Sequence, residues 1–498
     1  MKVHLTLLAA SVLLAACSSP APRPERGLQA PASWHSPASQ GDRQQDLRWW
    51  TRFGSPELDQ LIAEARAGSH DLAAAMARVR QAQASAIVAG APLLPSVNGT
   101  FNASRRKQLR GNDSSQLDSS SNSTVTNSFD AGLSATYEVD FWGGRRAAYD
   151  SALLGVQASE FDQATVELTL LSGVANSYAQ VLSLREQSRI AELNLANAQN
   201  VLQLVQTRYD SGSATALELA QQTSLVAAQQ RQVPLVQQQA EEAQITLATL
   251  LGRPVQSLKL NDQPFAQLNW PTIDAGVPSE LLTRRPDIAG AEARLAAAQA
   301  DVKVARAAML PTLTLTANLG SNADKLGEVL RNPFYNLASG LVAPIFNNGR
   351  LGAERDRATA RQQELLETYR GAIINGFADV EKALNSIRGL DQQRQWQSEE
   401  LNQAQRAFEI AQSRYQAGAE DLLTVLETQR TLYAAQDQNV QLRLSRLQSS
   451  IALYKALGAA GGCLRRRCSD GRDRPWVTRK TAACVQHPNR ATSCAPVC

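Results

Sequence analysis

The sequence predicts an α+β chain built from one unit used twice, each unit being a pair of strands followed by a long antiparallel helical hairpin. Three observations carry this. Ala198-Gln199 leads to Arg208-Tyr209-Asp210-Ser211-Gly212 and then Leu217, and Ala404-Gln405 leads to Arg414-Tyr415-Gln416-Ala417-Gly418 and then Leu423, at one constant offset of 206 residues. Each Arg-Tyr-x-x-Gly sits inside a long run of Ala, Gln, Leu, Glu and Arg, and a glycine closing such a run supplies the positive φ that a turning helix end needs. A repeat of this length is far beyond solenoid periods and implies a duplicated half-molecule. Before each helical run, the apolar period changes from helical to two.

The bulk composition is consistent with extended helices. The chain has 498 residues but only 5% aromatics, with abundant Ala and Gln, which suits rods packing through small residues better than several compact cores. The net charge of +4 is misleading, because residues 459–498 carry a balance of +6 and leave −2 for the rest. That balance has no nucleic-acid character. Lys2, the apolar run Leu5–Leu14 and then Leu14-Ala15-Ala16-Cys17 form a secretory signal (residues 1–16) ending in a lipobox, with Cys17 as lipidation site and first mature residue. Ser18 at the next position favours outer-membrane sorting. No cysteine follows until Cys463, so an exported body is not built on disulfides. No later apolar run reaches the roughly 18–20 residues of a spanning helix. A membrane crossing therefore needs strands.

Residues 17–46, rich in Pro, Ser, Ala and Gln, read as a lipidated tether with little structure of its own. The first repeat, 47–252, opens with Trp49-Trp50 as packing anchors and an amphipathic helix whose face is Leu58, Leu61, Ile62 and Ala65. A second helix, about 71–89, stops before Pro92 and Pro95. Strands are expected at about 96–104 and 128–141, around a Ser/Asn-rich loop, with Phe141-Trp142 at the far end. Strands of about ten residues with aromatic ends resemble a hairpin of an outer-membrane barrel, and equally a soluble hairpin packed on helices. A rod from about 144 to 208 would be on the order of 95 Å long. Its return partner shows Val236, Ala240, Ala243, Leu247 and Leu250 stepping by 4, 3, 4, 3, a coiled-coil seam.

After a Pro/Asn/Asp-rich connector at 253–277, residues 278–458 repeat the first half, with strands at about 312–320 and 335–346, a proline-free rod to the tip at 414–418, and a second seam of Val440, Leu444, Leu447, Ile451 and Tyr454. A membrane barrel needs about eight strands or more. Four per chain therefore require an oligomer sharing one barrel.

The lipobox, Trp49-Trp50-x-x-Phe53, Tyr137-Glu138-Val139-Asp140-Phe141-Trp142-Gly143, Leu281-Leu282-Thr283-Arg284-Arg285-Pro286-Asp287-Ile288, Pro344-Ile345-Phe346-Asn347-Asn348-Gly349-Arg350 and both Arg-Tyr-x-x-Gly turns resemble the outer membrane efflux lipoproteins. These are the TolC-like and OprM-like outer membrane factors of tripartite pumps, and the similarity is strongest to the partners of resistance-nodulation-division transporters. The resemblance covers about residues 1–458. It implies a homotrimer with a twelve-stranded barrel in outer membrane lipid, an α-helical barrel across the periplasm and a mixed equatorial region. Its implied partners are a periplasmic adaptor protein and an inner-membrane transporter. The function implied is a passive, gated exit duct for drugs and other small molecules.

By the same resemblance, the periplasmic gate falls at Leu423 and Glu427, with Tyr415 and Asp210 in the contacts that hold it closed. Arg208, Tyr209, Gly212, Arg414 and Gly418 form the adaptor-contacting tips. A leucine ring excludes water at a constriction, while nearby carboxylates attract cations. Glu427 stands where family members often carry Asp, and Glu420 where some carry a base. Arg284-Arg285-Pro286-Asp287 reads as structural, with Pro286 at a first helical position and Asp287 complementing the helix dipole.

The tail 459–498, with Cys463, Cys468, Cys484, Cys494, Cys498 and Arg465-Arg466-Arg467, fits neither repeat and is expected to carry none of the function. Its spacing lacks CxxC, so a metal site is unsupported. The four histidines are scattered, and no catalytic, metal or phosphate-loop spacing is present, which points to a non-enzyme without a cofactor. The remaining alternative is a structural periplasmic coiled-coil lipoprotein without channel activity.

Overall fold

The computed structural model describes residues 30–36, 48–107 and 125–458. Cys17, most of the tether, the centre of the first strand–strand loop and the 459–498 tail lie outside the described residues. All described residues belong to one compact unit, Met1–Gly461.

Ser55 caps α1 (Pro56–Gly68) by accepting from the Leu58 N–H, and Ser69 caps α2 (His70–Gly90) in the same way. Strands β1 (Ser96–Lys107) and β2 (Val125–Val139) follow, then α3 (Gly144–Asp210) and α4 (Ala216–Leu250). The second half contributes α5 (Pro278–Arg284), α6 (Pro286–Ala307), β3 (Thr312–Ala323), β4 (Pro333–Val342), α7 (Arg350–Gln416) and α8 (Leu422–Ala456). The rods α3 and α7 have 67 residues each, which is about 100 Å at helical rise. α4 runs through Pro234, whose missing N–H leaves the carbonyl of Gln230 without its helical bond.

The motifs around Gly143 and Gly349 are strand-to-rod turns. Gly143 and Gly349 take positive φ at the two N-caps. Asp140 accepts from the N–H groups of Arg145 and Arg146 at 3.0 and 2.8 Å, satisfying two of the rod's orphan donors. At the other end of each half, Gly252 and Gly458 turn the chain with φ +70°. A Cβ on Gly252 would lie 2.3 Å from the Gly68 carbonyl oxygen. Gly252→Ala is therefore expected to destabilise the chain by about 2 kcal/mol or more, the left-handed cost plus a backbone clash, measurable as a lower thermal midpoint.

The four strands form one antiparallel sheet in the order β1-β2-β3-β4, leaving β1 and β4 as edges. The register sorts the side chains into two faces. Val97, Phe101, Phe129, Leu133, Tyr137, Leu315, Leu319, Tyr335, Leu337 and Leu341 share one face, while Asn98, Thr100, Asn102, Ser134, Thr136, Thr314, Thr316, Asn318 and Asn336 share the other. The apolar face is not covered by helices: Tyr335 is 78% and Leu337 73% exposed. A hairpin packed on helices would bury that face; here the edge strands β1 and β4 are exposed along their whole length. Phe141, Trp142, Ile345 and Phe346 are exposed where the strands meet the rods, an aromatic and aliphatic fringe of the kind found at bilayer interfaces.

The main core gathers the chain ends, the connector and the middle of the rods. Both expected seams contribute, with Leu247 and all five of Val440, Leu444, Leu447, Ile451 and Tyr454 buried. Trp49 stacks on Tyr454 with ring centroids 5.2 Å apart, so the anchor read from sequence joins the N-terminal turn to the end of α8. Beside it, Tyr178 on α3 donates its hydroxyl to Glu57 at 2.8 Å, and the other Glu57 oxygen accepts from the Asn261 N–H at 2.6 Å. The connector is thereby pinned to α1 and the first rod. Part of the segment read as an unstructured tether is also pinned. Trp34 donates to the Gly276 carbonyl at 2.9 Å, and Glu381 accepts from the backbone N–H groups of His35 and Ser36.

Candidate functional site

The two helical hairpins end in turns of the same design and different surroundings. At the first tip, Gly212 has φ +74°. The Arg208 carbonyl accepts from the N–H groups of Ser213 at 2.8 Å and Ala214 at 3.2 Å, as an αL-type helix end requires. Thr215 and Glu218 then form a reciprocal capping box that starts α4. At the second tip, Gly418 has φ +77° and the Arg414 carbonyl accepts from the Ala419 N–H at 2.9 Å. Asp421 caps α8 by accepting from the Thr424 N–H at 2.9 Å. The Thr424 backbone and hydroxyl donors hold the Asp421 carboxyl below the usual carboxylate range. The cap is therefore in place at neutral pH and is lost only as pH falls through that lowered value.

Near the tips, the hairpins meet at Tyr415. Its ring is buried at 1% exposure in a cluster with Val205 of the first hairpin and Phe408, Ala411, Leu422, Val425 and Leu426 of the second. The Arg208 guanidinium lies 4.3 Å from the centre of that ring, a cation–π contact across hairpins. Tyr209, the residue matching Tyr415 in the first half, is instead 41% exposed. Arg414 pairs with Glu420 at 3.3 Å within its own turn. Thus Glu420, noted for standing where a base is often found, serves as the partner of Arg414.

Of the residues assigned to closure, Leu423 and Glu427 lie one helical turn apart on α8 and both face outward. Leu423 is 54% exposed beside the buried Leu422, and Glu427 makes no ion pair among the described residues. Asp210 accepts from Gln206 of its own helix at 2.9 Å. Arg208, assigned to adaptor contact, is engaged with Tyr415. Gly212 has open space where a Cβ would point, while a Cβ on Gly418 would meet the Arg208 guanidinium at 3.5 Å.

Sequence reasoning missed a second link between the hairpins. Tyr433 donates to the Asn194 carbonyl at 2.8 Å and receives a hydrogen bond from Gln429 at 2.6 Å. Burial pushes the Tyr433 hydroxyl up to about 12. The available signal was Gln429 and Tyr433, four residues apart on an otherwise aliphatic face of α8.

Arg285, of the motif read as structural, closes the base of the second hairpin. It reaches Asp287 at 2.6 Å, Asp379 on α7 at 2.9 Å and the Ala456 carbonyl of α8 at 3.3 Å. Burial raises the Asp287 carboxyl, but the hydrogen bonds and charge of Arg285 outweigh it and hold the group below its usual range. Among the described residues no cluster of side chains is suited to holding a metal ion.

The chain matches the family described as outer membrane efflux protein over residues 61–253 and 277–459. It is 64% identical over 457 residues, 91% of this chain and 96% of the relative, to the pyoverdine export outer membrane protein OpmQ of Pseudomonas aeruginosa. The OpmQ of Pseudomonas putida is 60% identical over 91% of this chain and 97% of its own length. Among solved structures, the outer-membrane channel OprN superposes with a TM-score of 0.82 at 27% identity, covering 89% of this chain and 98% of that one.

Proposed function

The chain belongs to the outer membrane efflux protein family; it is an outer-membrane efflux component reaching into the periplasm and not an enzyme, and from that premise we propose that it forms the passive, gated exit duct of a tripartite pump. The observation that carries this reading is the exposed apolar face of a sheet whose opposite face is Asn, Thr and Ser. Side chains alternating in this way suit lipid outside and water inside. The free edges β1 and β4 are complementary ends of an open sheet, and three copies give the twelve strands of a closed wall. The homotrimer continues into the periplasm as a barrel of six hairpins, four helices per chain. Cys17 supplies a lipid anchor, and the duct needs no cofactor because its transporter partner supplies the energy.

Within this reading, the six tips face a periplasmic adaptor protein, with Tyr209, Gly212 and Arg414 at the accessible surface. The duct is closed by rings of Leu423 and Glu427, which are exposed in a single chain and face one another only when three copies assemble. Tyr415 and Arg208 hold the second hairpin against the first. The cargo class is pyoverdine or a metabolite of similar character, supported by the two exporters at 60% identity or more. Expression in Pseudomonas aeruginosa lacking OpmQ is expected to restore pyoverdine release to the medium, and a chain ending at Gly458 is expected to restore it equally. Outer-membrane insertion without release would overturn the cargo assignment, and loss of release on removing the tail would overturn its dispensability.

A further inference from the structure

The polar face of the sheet is not uniform. Counted from the rods outward, the register places Asn98, Ser134, Asn318 and Asn336 opposite one another, a single row across all four strands. The next row outward is Thr100, Gly132, Gly320 and Phe334. It lies two residues farther along each strand, about 7 Å. Phe334 is the one aromatic side chain among the described strand residues of this face. Its ring covers Gly320: a Cβ on Gly320 would lie 2.9 Å from the ring's outermost carbon. Gly132 and Gly320 thus leave a shallow floor, and the Phe334 ring lies on it while remaining half exposed.

The row beneath is equally specific. Three of its four side chains are primary amides and the fourth is a hydroxyl. None of the four makes a side-chain hydrogen bond to another described residue. Each amide offers two donors and an acceptor, and none carries charge. Water can serve these groups, so their freedom costs little in an aqueous lumen. Any uncharged solute that presents matching groups can replace that water without the desolvation cost of an ion.

We propose that these two rows form a solute-binding belt inside the outer-membrane segment, in which Asn98, Ser134, Asn318 and Asn336 hydrogen-bond and Phe334 stacks uncharged, aromatic, amide- or hydroxyl-bearing solutes during exit. The belt rests on the barrel reading, which places this face in the lumen. It gives the outer-membrane segment a selectivity of its own. Weak, repeated sites of this kind favour passage over retention, because a conducting path must bind strongly enough to admit and weakly enough to release.

The test uses full-length protein in intact cells, with Ser134→Cys as reporter inside the belt and Leu133→Cys as reporter on the opposite face. Both are labelled from outside by an impermeant, negatively charged methanethiosulfonate, and rates are read above those of the parent chain. Ser134→Cys is expected to react and Leu133→Cys not to. The uncharged probe N-acetyltryptophanamide is expected to slow the Ser134→Cys reaction, by about twofold when its concentration equals its dissociation constant and further as it is raised. Adding Phe334→Ala is expected to abolish that protection and speed the unprotected reaction. Equal labelling of the two reporters would overturn the barrel reading itself. Labelling of Ser134→Cys alone, with no protection by the probe or with protection that survives Phe334→Ala, would overturn the belt while leaving the barrel intact.

Discussion

Replacing Tyr415 with alanine is expected to cost about 3–5 kcal/mol of local stability at the hairpin tips, the range for truncating a fully buried aromatic side chain. The ring is enclosed by Val205 from one hairpin and by Phe408, Leu422, Val425 and Leu426 from the other, so its removal empties the contact that joins them. It also leaves Arg208 without the ring it lies against. The conservative control is informative because the Tyr415 hydroxyl is buried without a hydrogen-bond partner among the described residues. Removing only that oxygen in Tyr415→Phe relieves an unpaired polar group. That variant is expected to be as stable as the parent or more so. Limited proteolysis at the tips, which follows local opening, is expected to accelerate strongly in Tyr415→Ala and not in Tyr415→Phe. Similar acceleration in both would mean that the hydroxyl, rather than the ring, joins the hairpins.

The second large effect is expected in the main core, a cluster separate from the one around Tyr415. Trp49 is completely buried, stacks on Tyr454 with planes 22° apart, and meets Trp50 and Phe53 edge-on. It precedes α1 by only a few residues, while Tyr454 is close to the end of α8. A single aromatic stack therefore joins two segments some four hundred residues apart in sequence. Trp49→Ala is expected to cost about 3–5 kcal/mol, with a further contribution from the lost stacking geometry. Trp49→Phe keeps a ring against Tyr454 and is expected to lose less than half of this. Thermal unfolding of the purified protein measures both: the midpoint should be clearly lower for Trp49→Ala. An unchanged transition would show that the stack is dispensable.

Which parts of this structure were legible in the sequence follows from what each part depends on. The rods were legible because their signal is local. Long proline-free runs with helical apolar spacing leave the backbone little alternative, and glycines at 212 and 418 mark where it turns, with observed ends within two residues of those read. The strand positions were legible from period two, but whether their apolar face meets lipid or helices was not, because that depends on what the rest of the chain covers. Tyr415 and Tyr209 illustrate the same limit. They occupy matching places in a repeat, yet one is buried under Arg208 and the other half exposed. Sequence symmetry cannot show which neighbour each hairpin leans on. The docking of Trp34 on the connector and the Tyr433–Asn194 link are tertiary contacts without periodic signature, and composition concealed the first within a Pro/Ser-rich stretch. The motif at Arg285 reads as structural from its position at a helix start. Its reach to Asp379 and Ala456 has no sequence signature and is the larger part of its role.

The electrical conductance of the purified protein in planar bilayers, compared with Leu423→Ala and Glu427→Ala, decides whether the chain forms the proposed gated duct. A low conductance that rises on the order of tenfold when either proposed ring is removed is the expected result, since a hydrophobic constriction and its charged neighbour both limit ion passage. Well-folded protein that conducts in none of the three forms would contradict the duct and leave the chain a structural spacer.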